Sequence, residues 1–388
     1  MWSEFVSGLH REIEFLRSSA ADLALISIVP LLLLGIVSIQ MSDGVLRDLP
    51  IVIVNEDGGA ISRELTRRLD ASPGLSVIDS SADLVTAKHW VREREALLVV
   101  YVASDLSRRV LRREPGVVTV LSNASYSTAS GAATRSAVAV IQEFSHTLAA
   151  GQFAAIPGRG ELRPPPIATQ TTVLFNPQGS YELQLVGLLH PALLHLIFMV
   201  AVVSALGREL RDGTIGAWLG QAGPGRAATK VAGKLALYLI VFMAWALAAT
   251  LYMSVARGWP VAGSTVTFLA AYLAMYLAYS GIALLLVGLT KSMAQSLSIT
   301  GIFAGASFAF AGAIFPIESA SMFARIWSML LPYTAFAKVW AEQFVMGAPV
   351  LFSVRQILVM TIFLIVGLAV GLRPYIRSAH SPSTWGKR

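Results

Sequence analysis

Six stretches of this chain are mostly apolar over the roughly 20 residues an α-helix needs to cross a bilayer: residues 22–41, 184–206, 232–256, 265–289, 297–315 and 352–372. Hydrocarbon offers the backbone no hydrogen-bond partner, so only helices and closed barrels span it. Segments this long predict helices. The expected fold is an α-helical membrane protein with six transmembrane helices and an external (periplasmic) α/β domain inserted between the first two. Composition agrees: only 14% of residues are charged, against about a quarter in soluble domains. The first segment, "DLALISIVPLLLLGIVSIQM", follows 21 residues that carry charges and has no small-x-small cleavage site, so it reads as a retained anchor.

The net charge of +7 is not a nucleic-acid footprint. Residues 42–183 hold 14 Lys and Arg against 15 Asp and Glu, and the rest of the chain holds 16 against 8. The excess therefore flanks the spans, as positive-inside topology requires. Residues 1–21, 207–234, 290–296 and 373–388 carry 2, 5, 1 and 4 basic residues, and the opposite short loops 257–264 and 316–351 carry 1 and 2. This places both termini in the cytoplasm and the 42–183 domain outside a bacterial inner membrane. No residue is cysteine, which excludes disulfides, thiolate metal sites and cysteine nucleophiles.

Residues 1–21 predict an amphipathic helix at the inner interface. Trp2, Phe5, Val6, Leu9, Ile13 and Leu16 lie on one face, with Glu4, His10, Arg11, Glu12, Glu14 and Arg17 on the other. A solvated helix packed on protein is the alternative. In the inserted domain, "LPIVIV", "GLSVI", "ALLVVYV" and "GVVTVLS" read as strands alternating with helices, one of them capped by Ser81. A longer helix is expected over about 126–150, followed by a proline-rich return linker. Glu56 and Asp57 in "NEDGG" sit where ligands of a metal or phosphate can lie, but a charged solvated turn is the simpler reading. His89 and His146 stand alone, and "NAS" at 123–125 fits a glycosylation acceptor of little relevance to bacterial topology.

Between the second and third spans lies a polar module, "GRELRDGTIGAWLGQAGPGRAATK". Its "GQAGPGRA" is no phosphate-binding loop, because Arg226 and Ala227 replace the Lys and hydroxyl residue that pattern needs. The module predicts a second span running on into the cytoplasm and broken at Gly213. Thr214 would cap a short helix with Ile215, Trp218 and Leu219 exposed. Such an element can pass a push from a soluble partner to the spans. An interfacial loop without a partner is the alternative.

The order of these features resembles the permeases of ATP-binding-cassette type-2 exporters, in the branch with a large external domain. Their first cytoplasmic loop typically reads like "REREEGTLEQLL", and Arg208, Glu209, Gly213, Thr214 and Lys234 fall on matching positions. "VNEDGGAISRELTRRLDASPGLSV" and "FNPQGSYELQLVGLL" also resemble family segments, although Val186-Gly187 stands where a Pro-Gly is usual. The resemblance implies a coupling helix at 207–231 seated on a separate cassette ATPase. Arg208, Glu209, Arg211, Asp212, Gly213, Thr214 and Trp218 would form the coupling site. ATP and magnesium would be bound by that partner and no cofactor by this chain. It implies a homodimer, or a heterodimer with a paralogue, moving a drug, lipid, glycan or peptide outward. A periplasmic adaptor and outer-membrane duct are further expected partners, beside membrane lipids.

Polar residues within spans are costly and therefore informative. His190, His195, Tyr276, Gln295 and Ser298 are candidates for a translocation path, and hydrogen bonding within a packed bundle is the alternative. Tyr272, Tyr276 and Tyr279, at helical spacing, favour packing. Residues 316–351, punctuated by Pro316, Pro332 and Pro349, predict external re-entrant helices, with Glu318 and Glu342 as outer-gate candidates or helix caps. Residues 373–388 form a cytoplasmic tail. A receptor with a periplasmic ligand-binding domain is the competing function. The cytoplasmic pieces, 28 residues or shorter, disfavour it, and no convergent set of His and carboxylates points to a membrane enzyme.

Overall fold

The computed structural model describes residues 1–388 except 81–82, 113, 124–126, 155–174, 313–316 and 387–388. The chain divides into two compact units, Met1–Ser42 with Tyr181–Arg388, and Asp43–Ser180.

The N-terminal segment is three helices in succession, α1 (Trp2–Ser18), α2 (Ala20–Ile26) and α3 (Ile28–Gln40). Ser19 divides the first two, its hydroxyl accepting from the Asp22 amide at the start of α2. Together α2 and α3 make the first membrane-length segment, Ala20–Gln40.

The inserted unit alternates as predicted: β1 (Leu49–Asn55), α4 (Ala60–Asp70), β2 (Leu75–Asp79), α5 (Leu84–Arg92), β3 (Leu98–Val102), α6 (Leu106–Leu111), β4 (Val118–Ser122) and α7 (Ser127–Ala154). The sheet order is β2-β1-β3-β4, with β1 parallel to both neighbours and β4 antiparallel to β3. Strand β1 is an unbroken Val/Ile run because helices cover both of its faces. Ile51 and Ile53 pack with Leu65 and Leu69 of α4 and Phe144 of α7, and Val52 and Val54 with Ala87 of α5. The cap of α5 is Asp83, whose carboxylate accepts from the Val85 and Thr86 amides; Ser81 lies outside the described residues. So do most of the "NAS" triplet and most of the proline-rich linker.

The remaining helices are α8 (Tyr181–Arg211), α9 (Ile215–Leu219), α10 (Pro224–Leu251), α11 (Thr265–Thr290), α12 (Met293–Gly305), α13 (Ser307–Phe310), α14 (Met322–Met329), α15 (Pro332–Val339), α16 (Val350–Gly367) and α17 (Arg373–Arg377). Among the described residues six segments are long and apolar enough to cross a membrane: Ala20–Gln40, Tyr181–Arg211, Pro224–Ala256, Thr265–Thr290, Met293–Phe310 and Val350–His380. Helices α8 and α11 form the centre of the bundle, 72% and 67% buried over their apolar windows, against 17% for the last segment. Small residues let backbones meet there. A methyl group on Gly367 would overlap the backbone of Gly281, and one on Gly288 the backbone of Gly371. Residues 317–345 form short helices, a 3-10 turn at Ile317–Ser319 followed by α14 and α15, the latter continuing as a π-helix over Trp340–Val345.

Candidate functional site at the α8–α10 turn

At 1.5 Å per residue, the 31 residues of α8 make a rod of about 46 Å, well beyond a ~30 Å hydrocarbon core. Its last turn therefore overshoots, carrying Arg208, Glu209 and Arg211. Gly213 stops it in the left-handed region, at φ +70°, where glycine has no side chain to clash. One turn of helix, α9, follows, and Pro224 starts α10 at a position where its missing N–H costs nothing. The third membrane-length helix thus begins inside the segment 207–231 predicted as a loop.

Helix α1 lies along α10 because two glycines remove the obstacle. A methyl on Gly8 would overlap the Lys230 carbonyl, and one on Gly233 the Phe5 carbonyl. The face of α1 turned inward is Gly8, Glu12 and Leu16, while Trp2 and Val6 stay exposed. Glu12 was expected on the solvated face. It is instead fully buried, because it meets cations from two other helices. Arg208 of α8 and Tyr238 of α10 both donate to Glu12 Oε1, and Lys234 Nζ lies 2.9 Å from its Oε2. Lys234 also donates to Glu209 Oε1 at 2.6 Å. Arg11 grips Glu209 with both arms of its fork, at 3.0 and 2.9 Å, the bidentate geometry that makes guanidinium–carboxylate pairs strong. Thr214 closes the cluster by donating to Glu209 Oε2. Arg208 lies 3.4 Å above the Phe15 ring and 3.7 Å from Asp22.

The charges nearly cancel, as burial demands. Burial pushes the Glu12 carboxyl up, but Lys234 and Arg208 outweigh it and hold the group below the usual carboxylate range. The hydrogen bond to Glu209 is the main reason the Arg11 guanidinium is raised further, against the pull of burial.

Trp218 lies inside this assembly. The sequence reading exposed Ile215, Trp218 and Leu219; all three are buried. The single turn of α9 sets its apolar side down on the bundle, and the Trp218 ring receives Lys234 at 4.9 Å and Arg11 at 5.7 Å. Lys230 donates to the Trp218 carbonyl at 3.2 Å. Thr214 makes no capping bond with its side chain, because its hydroxyl serves Glu209. The surface of the module is left to Arg211, Asp212, Thr214, Ala217, Gln221 and the run 223–226. Of the seven coupling candidates, then, Arg208, Glu209 and Trp218 are internal, and only Arg211, Asp212 and Thr214 are exposed. The sequence reading missed Glu12, Arg11 and Tyr238. A signal for Glu12 was present: it stands four residues from both Gly8 and Leu16, on one helical stripe.

The five path candidates do not converge. His190, His195 and Tyr276 are buried in the bundle core. The His190 Nε2 pairs with the Ser38 hydroxyl at 3.1 Å. His195 is stacked between Tyr279 and Tyr333, with centroids at 4.6 and 4.9 Å. Gln295 and Ser298 are exposed on α12, because Ser296, Thr300 and Ala304 take the inward stripe. Ser298 satisfies its hydroxyl on the Ala294 carbonyl, 3.0 Å away. Glu342 accepts from the Ser353 hydroxyl at 2.7 Å, joining the π-helix to α16, and the side chain of Glu318 lies outside the described residues. In the inserted unit, both acids of the "NEDGG" turn have protein donors. Ser107 donates to Asp57 through its amide, at 3.0 Å, and its hydroxyl, and Tyr101 donates to Glu56 at 2.7 Å. Among the described residues, no three His, Asp or Glu are grouped so as to hold a metal.

The fold and this site define a multi-pass α-helical membrane protein whose second and third spans are joined by a short helical module, locked to them through buried charge. The chain belongs to the ABC-2 transporter family: the model of the ABC-2 family transporter protein matches residues 22–373. It is accordingly a membrane transport subunit, a permease of an ABC transporter, and the family implies an ATPase partner. Neither the curated proteins nor the solved structures include a match.

Proposed function

We propose that this chain is the permease of an exporter, and that a separate cassette ATPase seats on residues 207–231 from the cytoplasm. One observation carries the reading. Glu209 and Lys234, in the helices that flank α9, share an ion pair at 2.6 Å, while Arg211, Asp212, Gln221 and Arg226 face outward. A displacement imposed on that outer face is thus transmitted to α8 and α10 as rigid bodies, which is what an element between an ATPase and a membrane path has to do. The excess of basic residues in this and the other predicted cytoplasmic loops supports the orientation, with both termini inside a bacterial inner membrane and the Asp43–Ser180 unit outside.

The roles within the module divide accordingly. Arg211, Asp212 and Thr214 belong to the contact surface. Arg208, Glu209 and Trp218 hold the module in place, and Gly213 makes the turn. ATP and magnesium belong to the partner. The exposed Gln295 and Ser298 on α12 favour a second permease, identical or paralogous, covering that face, since a side-chain amide turned to lipid is costly. A drug, lipid, glycan or peptide cargo, a periplasmic adaptor and an outer-membrane duct complete the proposal.

The test is ATP hydrolysis in nanodiscs by the cassette ATPase, with and without this chain. Exchanging the exposed pair, Arg211→Asp with Asp212→Arg, should weaken ATPase binding about tenfold, the equivalent of ~1.4 kcal/mol. Glu209→Ala should leave binding nearly intact and lower the stimulated rate. If no cassette ATPase binds through this module, or the charge exchange changes nothing, residues 207–231 are only a loop and the ATPase of this permease seats elsewhere.

A further inference from the structure

The five residues of α9 are too few to hold a helix by themselves, since isolated helices below about 12–15 residues are marginal. Packing from below comes from the bundle. Packing from the side comes from the C-terminal end of the sixth membrane-length segment and the residues beyond it, where α17 runs into two short 3-10 turns, Ser378–His380 and Pro382–Thr384. The edge of the Trp385 indole lies against Gly216, so closely that a methyl there would overlap the ring, with Cζ2 at 2.7 Å. The indole N–H is fixed on the Ser378 carbonyl at 2.8 Å. The same segment donates to carbonyls at two helix ends, where four lack a partner within the regular helix, although Leu210 O also accepts from the Gly213 amide at 3.2 Å. The Gly386 amide donates to Leu210 O, at the end of α8, at 3.0 Å. His380 Nε2 lies 3.0 Å from Gly220 O, at the end of α9. Nothing in the ionic cluster performs these tasks.

We propose that residues 378–386 form a strap that fixes the orientation of α9, with Trp385 as its positioning residue, so that the element presented to the ATPase is α9 and the strap together. This rests on the reading of residues 207–231 as the ATPase-contacting module. Gly216 is then glycine because the indole needs the space, although alanine is the better helix former.

Hydrogen exchange of the full chain in nanodiscs tests the strap without any ATPase. The reporters are the Trp218 and Gly220 amides, bonded to Thr214 O and Gly216 O. Trp385→Ala should speed their exchange about tenfold, a local opening of the kind loosely held elements show, and Trp385→Phe should restore part of the protection. Gly216→Ala should also speed exchange, and should add much less once combined with Trp385→Ala, which removes the ring the methyl would strike and leaves only the Ala379 carbonyl, at 3.2 Å. If Trp385→Ala changes nothing, or Gly216→Ala slows exchange as its helix propensity alone dictates, the strap is overturned while the coupling module stands. With the ATPase present, Trp385→Ala should lower the stimulated hydrolysis and leave the half-saturating permease concentration within about twofold, since a positioning residue alters the transition-state arrangement more than ground-state binding. Faster exchange with an unchanged stimulated rate overturns the positioning role. If the exchange pattern appears but no ATPase binds, the strap is real and the coupling reading is what fails.

Discussion

Glu12 ties three helices together, because it is buried against two cations and a phenol from two other helices. Removing one partner of a buried pair leaves the others uncompensated, at about 3–5 kcal/mol. Glu12→Ala should therefore loosen α1 by that order, read as protease sensitivity of residues 1–18 in nanodiscs. The pH dependence has a definite sign. The folded-state pKa of Glu12 is depressed, so its contribution is complete above the unfolded carboxylate value near 4.3 and is lost as pH falls through the folded value. Docking of α1 should survive neutral and mildly acidic conditions and fail only in strong acid, and Glu12→Gln should flatten that dependence. Asp57 follows the same rule in the inserted unit: the donors on Ser107 outweigh the penalty of burial and hold its carboxyl low. Asp57→Ala, which removes two hydrogen bonds from Ser107, should cost about 1–3 kcal/mol in denaturant-dependent proteolysis of that unit, with "NEDGG" acting as a pin between β1 and α6.

Among the elements, the pairing of α1 with α10 rests on absent side chains. Gly233→Val puts a branched side chain where the Phe5 carbonyl already lies, so α1 should come away although its own sequence is untouched. The chain has no cysteine, so a single reporter, Leu9→Cys, reads this by maleimide labelling, with faster modification expected in the Gly233→Val background. Helix α8 makes a different prediction. His195 is enclosed by two tyrosine rings, and its Nδ1 lies 3.0 Å from the Pro191 carbonyl. His195→Phe brings a larger ring and loses that hydrogen bond, so it should cost about 1–3 kcal/mol of thermal stability while the folded protein transports near the wild-type rate; a loss of transport per folded molecule would assign this residue to the path.

On the scale of the whole molecule, the proposed second permease would meet the outer face of α12. If a second permease covers Gln295 and Ser298, Ser298→Cys should form a disulfide-linked dimer under mild oxidation, and Ile362→Cys, exposed on α16, should not. Much of this architecture was legible in the chain. Long apolar runs cannot avoid becoming spans, and period-two and helical patterns alternate visibly through residues 49–122. The site was legible only in part. Arg208, Glu209 and Lys234 could be placed together by resemblance, but Glu12 was assigned to solvent, since charge on an amphipathic helix defaults to its wet face. Ile215, Trp218 and Leu219 stand at i, i+3 and i+4, so their shared face is legible, but five residues do not say whether it meets a partner or the bundle, and the sequence reading turned it outward.

What the sequence determined by itself is what depends on local composition: the number of spans, the α/β pattern of the inserted unit, the turn at Gly213 and the absence of any thiol chemistry. What only the tertiary structure decided is which charges meet. Burial of Glu12 is favourable solely because Arg208 and Lys234, 196 and 222 positions further along the chain, arrive beside it, and Gly216 is constrained solely because Trp385 returns to it. Such pairings follow from how helices pack, which no local pattern encodes.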